Sequence, residues 1–147
     1  MKNKASPTTN FEQWLLVCKV GHSINLLRQR ELTQHHIPVR QLHVLHLIKD
    51  LGPKATLSEV ARQAERNDNV ISRQTVVMEH DGWVKRIKDV PKSNTLRFEV
   101  TKKGLDLVNV TRQSKKIEKI FSSLSEEENK QLKSILNKIL IQVDKFS

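Results

Sequence analysis

Residues 69–89 read NVISRQTVVMEHDGWVKRIKD, and the pattern of this stretch changes at Gly82. Before the glycine, Ile71, Thr75 and Met78 recur at the spacing of one helix face. Glycine often terminates a helix because it tolerates the left-handed conformation found at many helix ends. After it, the letters VKRIKD alternate as a β-strand does. The stretch therefore predicts a helix that ends at Gly82 and leads directly into a basic strand.

A shorter helix is expected just before this one. Thr56-Leu57-Ser58-Glu59 has the capping-box pattern, in which the threonine caps the helix start and the glutamate reaches back to it. This helix should end near Ala64, and Asn67 or Asp68 should cap the next one. A short helix, a tight turn and a second helix make a helix-turn-helix motif. In that motif the second helix enters the major groove of DNA.

The second helix has the two faces that this motif needs. The apolar face named above would pack inward, and the opposite face carries polar residues. Among these, Asn69, Ser72 and Arg73 lie near the helix start, where side chains of a reading helix reach base edges. Arg73 is the expected main base reader, since arginine donates two hydrogen bonds to O6 and N7 of guanine.

A β-hairpin should follow the second helix. Its strands would be VKRIKD and LRFEVT, joined by the turn VPKSNT. Residues 85–103 contain seven lysines or arginines and two acids. Such a hairpin would make the motif winged, and its cations would lie along phosphates or in a minor groove. These cations are Lys85, Arg86, Lys88 and Lys92.

Helices are expected on both sides of this lobe. A loose polar tail over residues 1–10 precedes a helix over about 11–34, and Pro38 begins a second, largely apolar helix that should be buried on most sides. A long helix over about 102–122 and a last helix opened by a capping box at Ser125 would follow the hairpin. The apolar stripe of the last helix comprises Leu132, Ile135, Leu136, Ile139, Leu140, Val143 and Phe146. The predicted fold class is mainly α with a small β-hairpin wing.

Composition limits the function classes. The chain has 147 residues and a formal net charge of +10, which favours a polyanionic partner such as DNA, RNA or an anionic membrane face. No apolar run is long enough to span a bilayer, and the N-terminus lacks the apolar core of a signal peptide. The single cysteine, Cys18, fits a reducing cytoplasm. The sequence has no Gly-rich phosphate loop, paired-cysteine motif or zinc-binding helix, which argues against an enzyme and against a cofactor.

The order and spacing of these pieces resemble the MarR family of bacterial transcription regulators, which are winged-helix homodimers. The resemblance extends over about residues 11–146. By this resemblance the chain is a single domain over 1–147, in which residues 38–101 form the DNA-binding lobe and residues 11–37 and 102–147 form a helical dimerisation module. The matching segments are Leu57-Ser58-Glu59-Val60-Ala61 in the supporting helix, Val70-Ile71-Ser72-Arg73 in the reading helix, Gly82-Trp83-Val84-Lys85-Arg86 where the wing begins, and Val100-Thr101-Lys102-Lys103-Gly104 where it ends.

The resemblance implies a sequence-specific regulator of transcription, in its simplest form a homodimeric repressor of a near-palindromic operator. A two-fold dimer would place its two reading helices one turn of DNA apart, about 34–36 Å. The residues expected at the DNA are Asn69, Val70, Ser72, Arg73, Arg86, Lys88, Lys92 and Asn94.

Two departures from the family pattern affect this interface. Family wings usually carry an arginine near the tip, whereas this chain has Lys92-Ser93-Asn94 there, so Lys92 is the substitute candidate. Val76 and Val77 stand where family members commonly have charged residues. We expect partial burial of these valines against the wing, with contact to thymine methyl groups as the alternative.

The family's usual effector is a small, often anionic aromatic compound that binds between the dimer helices and the winged lobe. Candidate lining residues for such a crevice are Trp14, His22, His43 and His46. His43 and His46 are three apart on one helix and would also suit a metal, but polar lining or packing is the preferred interpretation, so no metal site is predicted. Cys18 lies in the helix where some relatives place a peroxide-sensing cysteine, although an apolar stripe is an ordinary place for a buried thiol. The alternatives to an effector-controlled regulator are a metal or peroxide sensor and a winged-helix protein–protein adaptor.

Overall fold

The computed structural model describes residue 4, residues 6–88 and residues 95–146. Within these residues the chain forms seven α-helices and a two-stranded antiparallel hairpin, so the predicted fold class is confirmed. No helix in this described part is long and apolar enough to cross a membrane. In chain order the elements are α1 (Pro7–Leu32), α2 (Val39–Leu51), α3 (Leu57–Gln63), α4 (Asp68–His80), β1 (Val84–Ile87), β2 (Arg97–Val100), α5 (Lys102–Arg112), α6 (Lys115–Phe121) and α7 (Glu126–Asp144).

The first helix begins earlier than predicted. The Ser6 hydroxyl accepts the Thr9 N–H at 3.2 Å, and Pro7 occupies the first helical position, where its missing N–H costs nothing. The expectation that residues 7–10 belong to a loose tail was therefore wrong. This N-cap was visible in the sequence as Ser6-Pro7, but the polar composition of the tail masked it.

The chain divides into two compact units, Met1–Gln113 and Ser114–Ser147. The prediction of one helix over about 102–122 was wrong, because α5 ends at Arg112 and Gln113 is extended (φ −87°, ψ 98°). Ser114 starts α6 by accepting the Ile117 N–H at 3.2 Å. A serine inside an otherwise helical pattern can cap a new helix instead of continuing the old one. The predicted functional division at residues 38 and 101 stays a prediction.

Helix α2 lies at the centre of the first unit and contacts α1, α3, α5 and β2. Leu42, Leu45 and Ile48 on this helix are fully buried, together with Phe98 of β2. The expectation that α2 is covered on most sides was only partly right, because one flank stays exposed to solvent. The exposed residues on that flank are Arg40, His43 and Asp50.

Helices α3 and α4 form the predicted helix-turn-helix. The Thr56 hydroxyl accepts the Glu59 N–H at 3.2 Å, but the Glu59 carboxylate accepts hydrogen bonds from Arg62 and Gln63 instead of returning to the cap, so the reciprocal half of the capping box was wrong. These donors lower the pKa of Glu59 to about 2. Glu65 adopts φ 53° in the turn, a left-handed conformation that reverses the chain tightly.

Asn67 caps α4, as one of the two predicted candidates. Its side-chain oxygen accepts the Val70 N–H at 2.9 Å. The cap satisfies a backbone donor that would otherwise lack a partner at the helix start. The start of α4 is thereby fixed immediately after the turn.

The hairpin is joined to the helix-turn-helix at its base. Strands β1 and β2 pair from Val84 opposite Val100 to Ile87 opposite Arg97. The Phe98 N–H donates to the Ala55 carbonyl at 2.8 Å, which ties β2 to the segment before α3. The wing and the two helices are therefore one packed assembly, and the direction in which α4 points is set by both.

Candidate nucleic-acid interface

The inner face of α4 packs as the sequence predicted. Ile71, Thr75 and Met78 are fully buried in the core of the first unit. The Thr75 hydroxyl donates to the Ile71 carbonyl at 2.9 Å, so its polar atom keeps a partner after burial. This packing leaves the opposite face of α4 pointing away from the core.

The outer face of α4 presents part of the predicted DNA-contacting set. Asn69 and Arg73 are exposed, while Val70 and Ser72 are half-buried. The Arg73 Nε donates weakly to the Asn69 carbonyl at 3.4 Å, and no acidic partner of Arg73 occurs among the described residues. An exposed guanidinium on the outer face of a helix, held by one long hydrogen bond, keeps most of its donors available for a nucleic acid.

Arg86 lies against α4, whereas the sequence analysis expected it to lie along phosphates. Its backbone N–H donates to Oε2 of Glu79 at 3.1 Å, and its Nη2 donates to the Ser72 carbonyl at 3.4 Å. The Arg86 side chain keeps 27% of its surface exposed, and its buried Nε lies 4.0 Å from Oε2 of Glu79 without a hydrogen-bond partner among the described residues. Arg86 therefore positions β1 against α4. The partner of Arg86 is Glu79, which the sequence analysis did not single out. The only signal in the sequence was an acid seven residues before the arginine.

The remaining wing cations lie in different surroundings. Lys85 faces Glu99 of the neighbouring strand, with 3.8 Å between Nζ and Oε1. Lys88 is exposed at the end of β1. Lys92 and Asn94 lie outside the described residues. Of the predicted wing contacts that the structure describes, Lys88 is thus the cation best placed to reach a phosphate.

The C-terminal end of α4 is fastened by a residue just beyond β2. Lys103 Nζ lies 4.4 Å from the centre of the Trp83 ring and donates to the Asp81 carbonyl at 2.7 Å. A lysine at this position satisfies a helix-end carbonyl and interacts with the helix dipole. Lys103 therefore holds the helix in place.

Val76 and Val77 are exposed by 51% and 46%. The expected partial burial against the wing was wrong. On the flank of α4 that faces the wing, Arg86 contacts Ser72 and Glu79. The outer face of α4 is consequently part polar and part apolar.

A cleft of about 400 Å³ lies beside α4 in the first unit, between α2 and the end of α3. It contains two histidines, two arginines and one acid around a small apolar wall. Its lining residues are Arg40, His43, Val44, His46, Leu47, Asp50, Gln63, Ala64, Arg66 and Gln74. The arginines of this cleft were not predicted, because they come from separate elements, α2 and the turn before α4.

The imidazoles in this cleft are less easily protonated than free histidine. His46 is half-buried, and His43 keeps much of its surface in water but loses water on its cleft side. This loss of water lowers the pKa of both histidines from 6.5. Arg28 lowers the pKa of His43 further, whereas Asp50 partly offsets the effect at His46. Both rings are therefore mostly uncharged at neutral pH.

The other predicted effector and sensor residues lie elsewhere. Trp14 and His22 are exposed on α1, and neither lines the cleft. Cys18 is also exposed on α1, so its expected burial on the apolar stripe was wrong for the single chain. Within residues 6–88 and 95–146, no three histidine, cysteine or acidic side chains come together as metal ligands would.

Apolar side chains are exposed on the first and last helices, each considered separately. On α1 they are Phe11, Trp14, Leu15, Leu16, Val17, Val20 and Leu26. On α7 they are Ile135, Leu136, Ile139, Leu140, Ile141 and Val143. Exposed apolar sets of this size usually mark a surface that another molecule covers.

A helix-turn-helix followed by a packed hairpin defines the winged helix-turn-helix class. Solved structures share this fold over nearly the whole chain. The MepR–DNA complex from S. aureus is 24% identical, with a TM-score of 0.73 over 87% of this chain and 94% of that chain. The organohalide-sensing transcriptional regulator RdhR, bound to 2,4-dichlorophenol, is 22% identical, with a TM-score of 0.76 over 95% and 86%.

A MarR protein from Peptoclostridium difficile is 16% identical, with a TM-score of 0.79 over 99% of this chain and 92% of that chain. No family model matches the sequence, and no curated protein matches it. The fold of this chain is that of the MarR transcriptional regulators, as the resemblance in the sequence predicted.

Proposed function

We propose that this chain is a sequence-specific DNA-binding regulator of transcription in the MarR family, acting in the cytoplasm as a homodimeric repressor and not as an enzyme. The observation that carries the proposal is the outer face of α4. That face is exposed, carries Asn69 and an Arg73 that has no acidic partner among the described residues, and is joined to the wing through Arg86 and Glu79. The net charge of +10 supports a polyanionic partner, and MepR has been crystallised with DNA.

Dimer formation is part of the proposal because of the last helix. The exposed apolar residues of α7 recur every three or four positions, which is the pattern of a helix that packs against another surface. A second copy of the chain offers the same stripe, and a two-fold dimer pairs identical surfaces. Such a dimer would present two copies of α4 to a near-palindromic site.

We expect Arg73→Ala to weaken binding to a selected palindromic duplex by about 1–3 kcal/mol and to relax the preference at one position in each half-site. Fluorescence anisotropy with duplexes selected from a random library measures both effects. Lys88→Ala, which removes an exposed cation from the wing, should weaken all sequences alike, because phosphate contacts carry no sequence information. Parent affinity should fall steeply between about 50 and 200 mM salt.

The opposite pattern would contradict these roles. If Lys88→Ala altered sequence preference while Arg73→Ala did not, the wing would be the reader and α4 the support. Binding that is insensitive to salt, or absent for every duplex, would favour a winged-helix protein–protein adaptor.

A small anionic effector is the second element of the proposal, and the cleft beside α4 is its site. The cleft combines Arg40 and Arg66 with two histidines and has apolar side chains on its wall, which suits an aromatic acid. It touches α4 through Gln74 and the helix-turn-helix turn through Arg66. RdhR in its solved structure holds 2,4-dichlorophenol, so a regulator with this fold does bind a small aromatic compound.

Benzoate is expected to release the chain from its duplex more strongly as the pH falls below about 6.5, because protonated imidazole attracts a carboxylate. Because the pKa of His43 and His46 is lowered, the increase in DNA release should occur at a more acidic pH than for free histidine. A tenfold release corresponds to about 1.4 kcal/mol of coupling between the two sites. Titrations at about pH 7.5 and 5.5 measure it, within the range where histidine changes charge.

His46→Ala should lose most of this response. His22→Ala is the matched control, since His22 lies on α1 outside the cleft, and it should respond like the parent. If His22→Ala abolished the response and His46→Ala did not, the effector would bind near α1 and the cleft would have another role.

A further inference from the structure

The two exposed valines of α4 are unusual in their part of the chain. Among the described residues between positions 38 and 101, Val76 and Val77 are the only valine or larger apolar side chains that are exposed. The other exposed large apolar residues lie on α1, α5, α6 or α7, apart from Phe146, which follows α7. The proposed dimer, built from the first and last helices, therefore does not account for these two.

Local helix stability does not account for them either. Valine branches at Cβ and loses rotamer freedom in a helix, so alanine, lysine or glutamate would stabilise an exposed helical position better. The inner face of α4 is already complete with Ile71, Thr75 and Met78, all fully buried. Two adjacent exposed valines thus add nothing to the core and weaken the helix.

Their positions relative to Arg73 connect them to the reading face. Val76 is three residues and Val77 four residues beyond Arg73, so both lie one helical turn away from the guanidinium on the outer face. Val76 is on the side toward Ser72 and Glu79, where the wing is attached, and Val77 is on the side toward Gln74. A molecule that Arg73 touches would be flanked by both apolar side chains.

The major groove of DNA has one apolar group, the 5-methyl of thymine. Within the function proposed above, on which this inference rests, we infer that Val76 and Val77 read thymine methyl groups next to the base pair that Arg73 contacts. Each valine would exclude water from one methyl group when α4 enters the major groove. The half-site should therefore contain at least one thymine beside a guanine.

The test replaces single thymines by uracil, which differs only in lacking the methyl group. Duplexes are selected from a random library with the full chain, and the Kd is measured for the parent duplex and for each uracil derivative. We expect the Kd to rise about fourfold for each contacted methyl group that is removed, because burying one apolar carbon contributes about 0.8 kcal/mol. The loss should occur at symmetry-related positions in the two half-sites.

The protein variants decide whether the valines cause this loss. With Val76→Ala or Val77→Ala, the parent duplex should bind more weakly, and the uracil penalty at one position should disappear. Val110→Ala, which shortens a similarly exposed valine of α5, should keep the uracil profile of the parent chain.

Three results would overturn the inference. These are selected half-sites without thymine, uracil substitution without effect at every position, and a penalty that persists in both valine variants. A persistent penalty would show that the methyl group acts through the shape of the DNA. All three leave salt-dependent, Arg73-dependent binding intact, whereas the absence of any DNA binding would overturn the proposed function itself.

Discussion

Ile139→Asp is expected to convert the proposed dimer to monomers at micromolar concentration. Ile139 lies in the middle of the apolar stripe of α7 and is 48% exposed in the single chain. If a second chain covers the stripe, an aspartate there would bury a carboxylate without a partner. A two-fold interface contains every substitution twice, so the penalty is doubled. We expect the dissociation constant of the dimer to rise at least about a hundredfold, close to 3 kcal/mol.

Light scattering and sedimentation over a range of concentrations measure the change. Asn137→Asp is the matched control, because it adds the same charge to the same helix on the face opposite Ile139. That variant should remain dimeric. Circular dichroism should show that both variants keep their helices, and the Ile139 variant should bind a palindromic duplex far more weakly than a parent dimer does. A folded parent chain that is monomeric at micromolar concentration would show that the apolar stripe has some other partner.

Local patterns in the sequence predicted the helix-turn-helix well. The buried face of α4 follows from three side chains at helical spacing, and the caps Asn67 and Ser125 follow from side chains that accept backbone N–H groups three residues away. In α7 the capping box is complete, because Glu128 returns to the Ser125 N–H at 2.7 Å. Signals of this kind depend on near neighbours, which a sequence displays directly.

The errors arose where a side chain had more than one partner within reach. The Glu59 carboxylate could accept the Thr56 N–H or the Arg62 guanidinium, and in the structure it accepts the guanidinium. The contacts of Arg86 with Glu79 and Ser72 of α4 were likewise not predicted, because they come from a different element, and the role of Arg86 at DNA stays a prediction. Val76 and Val77 are exposed where partial burial against the wing was expected. Competition between partners, within one helix or between separate elements, is settled by the packed structure, which a linear pattern does not contain.

The candidate cleft shows the same limit. Its histidines were visible as a pair on one helix, but the cations that complete it come from α2 and from the turn before α4. Trp14 and His22 were grouped with the histidines through the family resemblance by region, and they lie on α1 outside the cleft. Which residues share a surface depends on how the elements pack, so a regional analogy was the weakest part of the site prediction.

Gly104→Ala is expected to destabilise the fold by about 3 kcal/mol or more, at the upper end of what overpacking costs. A Cβ at this position would lie 2.1 Å from the Trp83 carbonyl oxygen and 2.9 Å from Cγ1 of Val100. The backbone cannot give way easily, because the Thr101 hydroxyl donates to the Gly82 and Trp83 carbonyls and accepts the Gly104 N–H. The base of the wing thus depends on the absence of a side chain at Gly104.

Two other glycines separate this clash from ordinary effects of alanine. Gly82 has φ 83° and only the flexible Lys103 side chain near its missing Cβ, so Gly82→Ala should cost about 1–2 kcal/mol through backbone strain alone. Gly21 lies within α1 with nothing within 4 Å, so Gly21→Ala should stabilise the helix by about 0.5–1 kcal/mol. Urea unfolding followed by circular dichroism, at one protein concentration because a dimer's stability depends on it, gives the three free energies of unfolding. The free energy of unfolding should fall most for Gly104→Ala and less for Gly82→Ala, and it should rise for Gly21→Ala. If Gly104→Ala were as stable as the parent chain, the close contact between Gly104 and the Trp83 carbonyl would not limit the residue at this position.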